Sequence, residues 1–247
     1  MLNKVLFILL SFNLSICIGL KALVIPQSAS LLSTSGTGIC YSHEINPALL
    51  LETNSYLSLS KNSWLGGVSG QKISYIFDNR KYISFESLSI NDIELRDEIA
   101  TEDPIGFFGA HWYAVEINES YDFPFDKDYT FGYKIKLNYS KLFTESMHGY
   151  SIDLGFNNKI KENLNIGFLI KNLGHEYSNN LRVENNILLG VGVSYNIPDL
   201  KLILLSDYLI YDENNFLKFS TITTLPYLNF IIGGTYSDSY KDLSFGV

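Results

Sequence analysis

From Tyr129 to Ser140 the chain reads Y-T-F-G-Y-K-I-K-L-N-Y-S, and its polarity changes at every step. Tyr129, Phe131, Tyr133, Ile135, Leu137 and Tyr139 are apolar or aromatic. Thr130, Gly132, Lys134, Lys136, Asn138 and Ser140 between them are small, polar or charged. Successive strand side chains point to opposite faces, so this period of two predicts a ribbon with one apolar and one polar face. Globular strands usually run ~5–6 residues, whereas a tilted bilayer-crossing strand needs ~9–11. The twelve-residue register of this stretch belongs to the second class.

The same design recurs down the chain. Tyr56–Ser60, Lys72–Phe77 and Tyr82–Glu86 alternate, and a slip at Ser87-Leu88 predicts a bulge. Phe107–Tyr121 places Tyr113, Val115 and Ile117 against Ala114, Glu116 and Asn118. Gly149–Asn157 places Tyr150, Ile152, Leu154 and Phe156 outward and Ser151, Asp153, Gly155 and Asn157 inward. Further segments follow at Leu164–Leu173, Ile187–Asn196, Leu200–Ile210, Phe216–Thr224, Leu228–Thr235 and Leu243–Val247. Turn residues separate them at Asn157-Asn158, Asn179-Asn180, Pro198-Asp199, Asn214-Asn215 and Pro226. About 12 strands with short connections describe an up-and-down meander, and closing it removes its exposed edges. The predicted fold is an all-β, antiparallel transmembrane barrel, with small inward residues leaving room in the lumen. A soluble β-sandwich would alternate too, but the strand length and the inward glycines favour the barrel.

Three segments organise the chain. Residues 1–19 carry an early Lys4 and an apolar run to Ile16, the pattern of a secretory signal peptide. Residues 20–51 do not alternate and predict an irregular plug with one helical turn; residues 52–247 form the barrel. No other apolar run reaches the ~18 residues of a helical span. Without the leader only Cys40 remains, so no disulfide framework supports the fold. A formal charge of −8, with no basic cluster, excludes a nucleic-acid partner. Aromatic content of 14% suits interface girdles as well as strands. Asn91–Pro104 is acidic and aperiodic, and reads as a loop.

Candidate chemistry is sparse. His43-Glu44 lacks a second histidine at zinc-helix spacing, and His111, His148 and His175 are scattered in sequence. No nucleophile elbow, phosphate loop or Cys–His pair occurs, so neither enzyme, metal nor cofactor is expected. The charged inward residues of adjacent strands have a structural explanation. A turn near Thr144 and Glu145 sets Lys136 opposite Asp153, and one near Phe125 sets Glu116 opposite Lys134 or Lys136. Charges within a low-dielectric wall must be paired or hydrated. The pattern therefore predicts a lumen charge ladder of Glu116, Lys134, Lys136 and Asp153 that holds register.

Several short motifs occur in order between about residue 28 and residue 200. They are Ser28-Ala29-Ser30, Asn46-Pro47-Ala48-Leu49-Leu50, Gly132-Tyr133-Lys134-Ile135-Lys136, Gly149–Gly155 and Lys171-Asn172-Leu173-Gly174. The set resembles the PorV/PorQ family of outer-membrane barrels, relatives of the FadL fatty-acid transporters. The resemblance implies a 14-stranded barrel and assigns Asn46, Pro47 and Ala48 to an N-terminal plug. It also implies an accessory role in type IX secretion, with exported cargo or secretion-system proteins as partners beside outer-membrane lipid. Two other functions remain open: a FadL-like channel for small hydrophobic molecules, and a soluble exported β-protein that binds a ligand.

Overall fold

A computed structural model describes residues 25–26, 28–52, 55–77, 80–96, 102–178, 181–238 and 241–247. The expected signal peptide and the Asn179-Asn180 turn lie outside these residues. A single helical turn, α1 (Ala29–Ser33), is capped by Ser28, whose Oγ accepts from the Leu31 amide. A 3-10 turn follows at Pro47–Glu52. The remainder is strand: β1 (Leu57–Ser63), β2 (Val68–Phe77), β3 (Lys81–Leu95), β4 (Gly106–Phe123), β5 (Asp126–Leu142), β6 (Glu145–Lys161), β7 (Leu164–Ser178), β8 (Leu181–Glu184), β9 (Leu188–Ile197), β10 (Leu202–Tyr211), β11 (Asn214–Thr224), β12 (Asn229–Tyr236) and β13 (Lys241–Gly246). Each strand pairs antiparallel with the next along a twelve-strand path; β8 stands off that path, paired to β7.

The period-two pattern places each face as sequence predicts. Outward residues are large and apolar, such as Leu57 (62% exposed), Leu137 (60%) and Phe219 (50%). Inward residues are buried and often polar, including Ser84, Asn118, Lys134, Ser151 and Asp207. An apolar outside around a polar inside suits a lipid solvent. Among the described residues no helix is long and apolar enough to cross a membrane. The apolar core is divided into small lumen clusters. Leu31, Ile39 and Ile45 pack on Leu169, Leu188 and Leu209, while Leu50 packs on Ile76 and Tyr82.

Four local expectations change. The loop expected over Asn91–Pro104 starts later, because β3 runs on to Leu95. Ser87 and Leu88 keep register with Tyr113 and Trp112, and the irregularity falls between Ile90 and Ile93, where Asp92 has φ 59°. Leu88 broke the polar–apolar pattern because it faces an inner cluster with Trp112 and Ala114. Asn157-Asn158 is not a turn. Asn157 faces the lumen within β6, which continues to Lys161. The β10–β11 turn is Asp212-Glu213, both at positive φ, with Asn214 already in strand.

The wall is uneven in height and in closure. Strands β3 to β7 run 15 to 18 residues, while β9 to β13 run 6 to 11. The excess projects at the end that carries the 96–105 and 179–187 connections. Among the described residues no register joins β1 to β13. Helix α1 touches both edges instead: the Ala29 amide donates to Ser60 Oγ, and Ser244 Oγ donates to the Ser33 carbonyl.

Candidate functional site: the plug seat and the lumen ion cluster

The ion cluster follows from register. Lys72 lies opposite Glu86 on β3, Ser84 opposite Glu116 on β4, and Glu116 opposite Lys136 on β5. All face inward, so four strands deliver their charges to one volume. Lys136 Nζ meets Glu116 Oε1 at 2.7 Å, and Lys72 Nζ meets Glu86 Oε1 at 2.6 Å. Longer contacts of 3.8 Å join Lys72 and Lys134 to Glu116 Oε2, which also accepts from Ser84 Oγ at 2.9 Å. The Lys136 and Lys72 ammonium groups also lie over the Trp112 and Tyr82 rings. Each carboxylate thus has cations or hydrogen-bond donors around it, as burial of charge demands.

Asp153 takes a different place from the one expected. The β5–β6 turn sets it opposite Lys134, and Lys136 opposite Ser151. Asp153 makes no ion pair within 4 Å among the described residues. Its Oδ1 accepts instead from the Asn172 amide at 2.9 Å, inside a β6–β7 irregularity where Asn172 has φ 65°. The carboxylate satisfies a backbone donor that the bulge removes from the ladder. The cluster members beyond the sequence reading are Lys72, Glu86 and Glu44. The first two were readable from the short connection between β2 and β3; Glu44 was not, because its partner lies in a distant strand.

Glu44 belongs to the plug, which crosses the lumen as a strap and touches every strand of the twelve-strand path. Beyond the α1 contacts with β1 and β13, Thr235 Oγ1 of β12 and Lys218 Nζ of β11 both donate to the Ser35 carbonyl. Asp207 Oδ2 on β10 accepts from the Gly38 and Ile39 amides at 2.6 and 3.1 Å. Cys40 Sγ donates to the Gly192 carbonyl of β9 and lies over Gly167 of β7. Asn46 Nδ2 donates to the Phe156 carbonyl of β6 and to the Ile39 carbonyl, while its Oδ1 accepts from the Ala48 amide. Lys134 Nζ of β5 donates to the Glu44 carbonyl at 2.7 Å, and Asn118 of β4 to that of His43. The His43 ring packs edge-on against Tyr82 of β3, and Glu44 Oε2 meets Lys72 of β2 at 2.9 Å.

Asn46, Pro47 and Ala48 sit where the inner wall has no side chains. A Cβ on Gly132 would run into the Pro47 backbone, and one on Gly155 into Asn46 Oδ1. The plug backbone thus approaches the sheet at a distance only glycine permits. The inward glycines make room for this strap.

Burial sets the protonation of the plug. Removal from water pushes the His43 imidazole down to about 4, helped by nearby Lys134 and Lys72 against Glu44. Burial alone would raise the Glu44 carboxyl, but the Lys72 ammonium outweighs it and holds it below its usual range. The buried Cys40 thiol is pushed up, away from thiolate chemistry.

One cavity lies on each side of the strap. The larger, about 500 Å³, is lined by Tyr41, His43 and Tyr56 with Glu162, Asn163 and Asn196, near the short-turn end. The smaller, about 80 Å³, holds the ion cluster and Lys171. No group of three or more metal-ligating side chains occurs among the described residues. His111, His148 and His175 lie on strands away from both cavities and meet neither the plug nor the cluster.

A polar lumen within an apolar twelve-strand wall, filled by the chain's own N-terminal segment, defines a plugged transmembrane β-barrel. No family model and no curated protein matches the chain. Among solved structures it is similar to a KdgM porin at 9% identity and TM-score 0.48, over 77% of this chain and 93% of that one. It is also similar to a KdgM porin in complex with disordered oligogalacturonate, at 8% identity and TM-score 0.47, over 76% and 93%.

Proposed function

We propose that the chain is a non-enzymatic outer-membrane barrel that works by holding protein partners at its projecting end, as an accessory of type IX export or surface attachment. The observation that carries this reading is the strap, which touches all twelve path strands and sets the chain's own residues across the lumen. Work at the high β3–β7 wall fits a barrel of this kind. The PorV/PorQ resemblance supports the same role, since its Asn46-Pro47-Ala48 motif is the segment seated on Gly132 and Gly155. A second reading, a gated route for small hydrophobic molecules, has the space of the 500 Å³ cavity beneath the strap, but that cavity's lining of Ser42, His43, Glu44, Asn163 and Asn196 is polar.

Deleting the gene and assaying the cell surface separates the two. Loss of exported proteins from the surface with unchanged solute uptake is the expected result. Intact surface display with impaired uptake would replace the first reading by the second. Purified protein in planar bilayers should show no steady conductance, and deletion of residues 28–52 should open one.

A further inference from the structure

The 500 Å³ cavity on the short-turn side of the strap has a lining whose chemistry selects a class of ligand. The strap supplies one side of it, through Thr37, Tyr41, Ser42 and His43. The inner face of β6, β7, β9 and β10 supplies the other, through Lys159, Asn165, Ser194, Asn196 and Ile203. Glu162 and Asn163 in the β6–β7 turn stand at its mouth. The volume falls within the ~300–1,000 Å³ of small-molecule sites.

The lining carries no net charge to match an ionic ligand. Lys159 and Glu162 are one of each sign, and Glu44 is engaged by Lys72 at 2.9 Å. The remaining titratable ring, His43, is neutral near pH 7, because burial pushes it down to about 4. An anion or a cation would leave water for a site without a countercharge. Leu31, Leu49 and Ile203 are the aliphatic members, outnumbered by hydroxyls and amides, so an apolar ligand is matched no better.

Neutral hydrogen-bonding groups are what the lining offers in quantity, and several are open. The Asn196 amide donates to the Asn163 carbonyl at 2.9 Å, which sets the two side chains abreast on one face. Unlike Asn165, which donates to Ser194 Oγ, neither side-chain amide has a partner among the described residues. Thr37 Oγ1 is fully buried and also without a partner, an unfavourable state for a hydroxyl. Tyr41 and Tyr56 are 47% and 39% exposed and add two aromatic rings. The Tyr56 ring is oriented by His43, which it meets through its hydroxyl at 3.4 Å.

We propose that this cavity binds a neutral sugar of about two rings, presented from the inner side of the membrane. Each asparagine amide carries both donors and an acceptor, which suits neighbouring hydroxyls that do both. The tyrosine rings pack on the C–H face of a sugar ring, whose slightly positive hydrogens meet the negative π face. Such barrels keep their short turns on the inner side, so the mouth opens to the periplasm. The site lies at the end opposite the projecting wall and stands whether or not that wall holds a protein partner.

The test is saturation-transfer NMR on the full chain in a sugar-free detergent. The probes are maltose, N,N′-diacetylchitobiose, maltose 6′-phosphate and a neutral peptide, acetyl-triglycine amide. At least one of the two neutral disaccharides should bind more tightly than the phosphorylated sugar and the peptide. A preference for maltose identifies a free sugar as the source, and a preference for the acetamido disaccharide identifies a cell-wall glycan. Tyr41→Ala should weaken that binding about fivefold and Asn163→Ala/Asn196→Ala about tenfold. Tyr227→Ala, at a residue 99% exposed at the same end but outside the cavity, should change it by less than about twofold. Heat-modifiable gel migration reports whether each variant is folded; should Tyr41→Ala not fold, the asparagine pair carries the test. Binding of neither disaccharide, equal binding of the phosphorylated sugar or the peptide, equal loss in Tyr227→Ala, or parent-like binding in folded cavity variants would overturn the assignment.

Discussion

Glu116 gathers three lysines within 4 Å, so its side chain is a hub of the lumen cluster. Glu116→Ala would leave Lys134 without an ion pair in a buried site and should cost about 3–5 kcal/mol. Denaturant unfolding of the purified barrel measures that loss. Glu44→Gln acts on the plug alone, because Lys72 keeps Glu86 at 2.6 Å. It should weaken plug docking by about 2 kcal/mol, seen as faster proteolysis of the N-terminal segment. His43 adds a pH dependence of definite sign. The unfolded imidazole takes up a proton near 6.5, and the docked one only near 4. The released state therefore binds more protons in that window, so docking weakens as pH falls from about 6.5 toward 4. Proteolysis of the plug across that range should show it, and His43→Phe should flatten the profile.

At the level of elements the decisive contact is that of the Asn46–Ala48 turn with β5 and β6. Gly155→Val would place side-chain atoms where Asn46 Oδ1 now lies. The barrel should still form, because Gly155 keeps its partners Gly132 and Leu169 through the backbone ladder. The expected outcome is a heat-modifiable barrel with a protease-sensitive plug. A variant that fails to fold at all would show instead that the strap is needed for closure. The short spacings of this contact were legible, as small residues alternating along β5 and β6. Their occupant was not, since Gly155 and Asn46 are more than a hundred residues apart.

For the whole molecule, the β1 and β13 edges, which no register joins among the described residues, matter most. Backbone donors and acceptors left open in hydrocarbon cost several kcal/mol each, so a membrane sheet must cover its edges. Here α1 reaches both through serine hydroxyls at Ser60 and Ser244. A disulfide placed across β1 and β13 should therefore form slowly in the plugged protein and readily in a chain lacking residues 28–52. Closure was expected from the meander pattern alone. A seam bridged by the plug could not be read there, because pattern records which face a residue takes and not which edge meets which.

What the sequence determined by itself was everything with a period of two: strand identity, the lipid and lumen faces, and the sign of the charges sent inward. Side-chain alternation is a property of the local backbone, so no distant contact is needed to set it. The tertiary structure decided what depends on register and long-range approach. It put Asp153 opposite Lys134 rather than Lys136 and filled the glycine-lined bore with the strap. Turn geometry shifts register by whole residues, and only packed neighbours from the far end of the chain select among the alternatives.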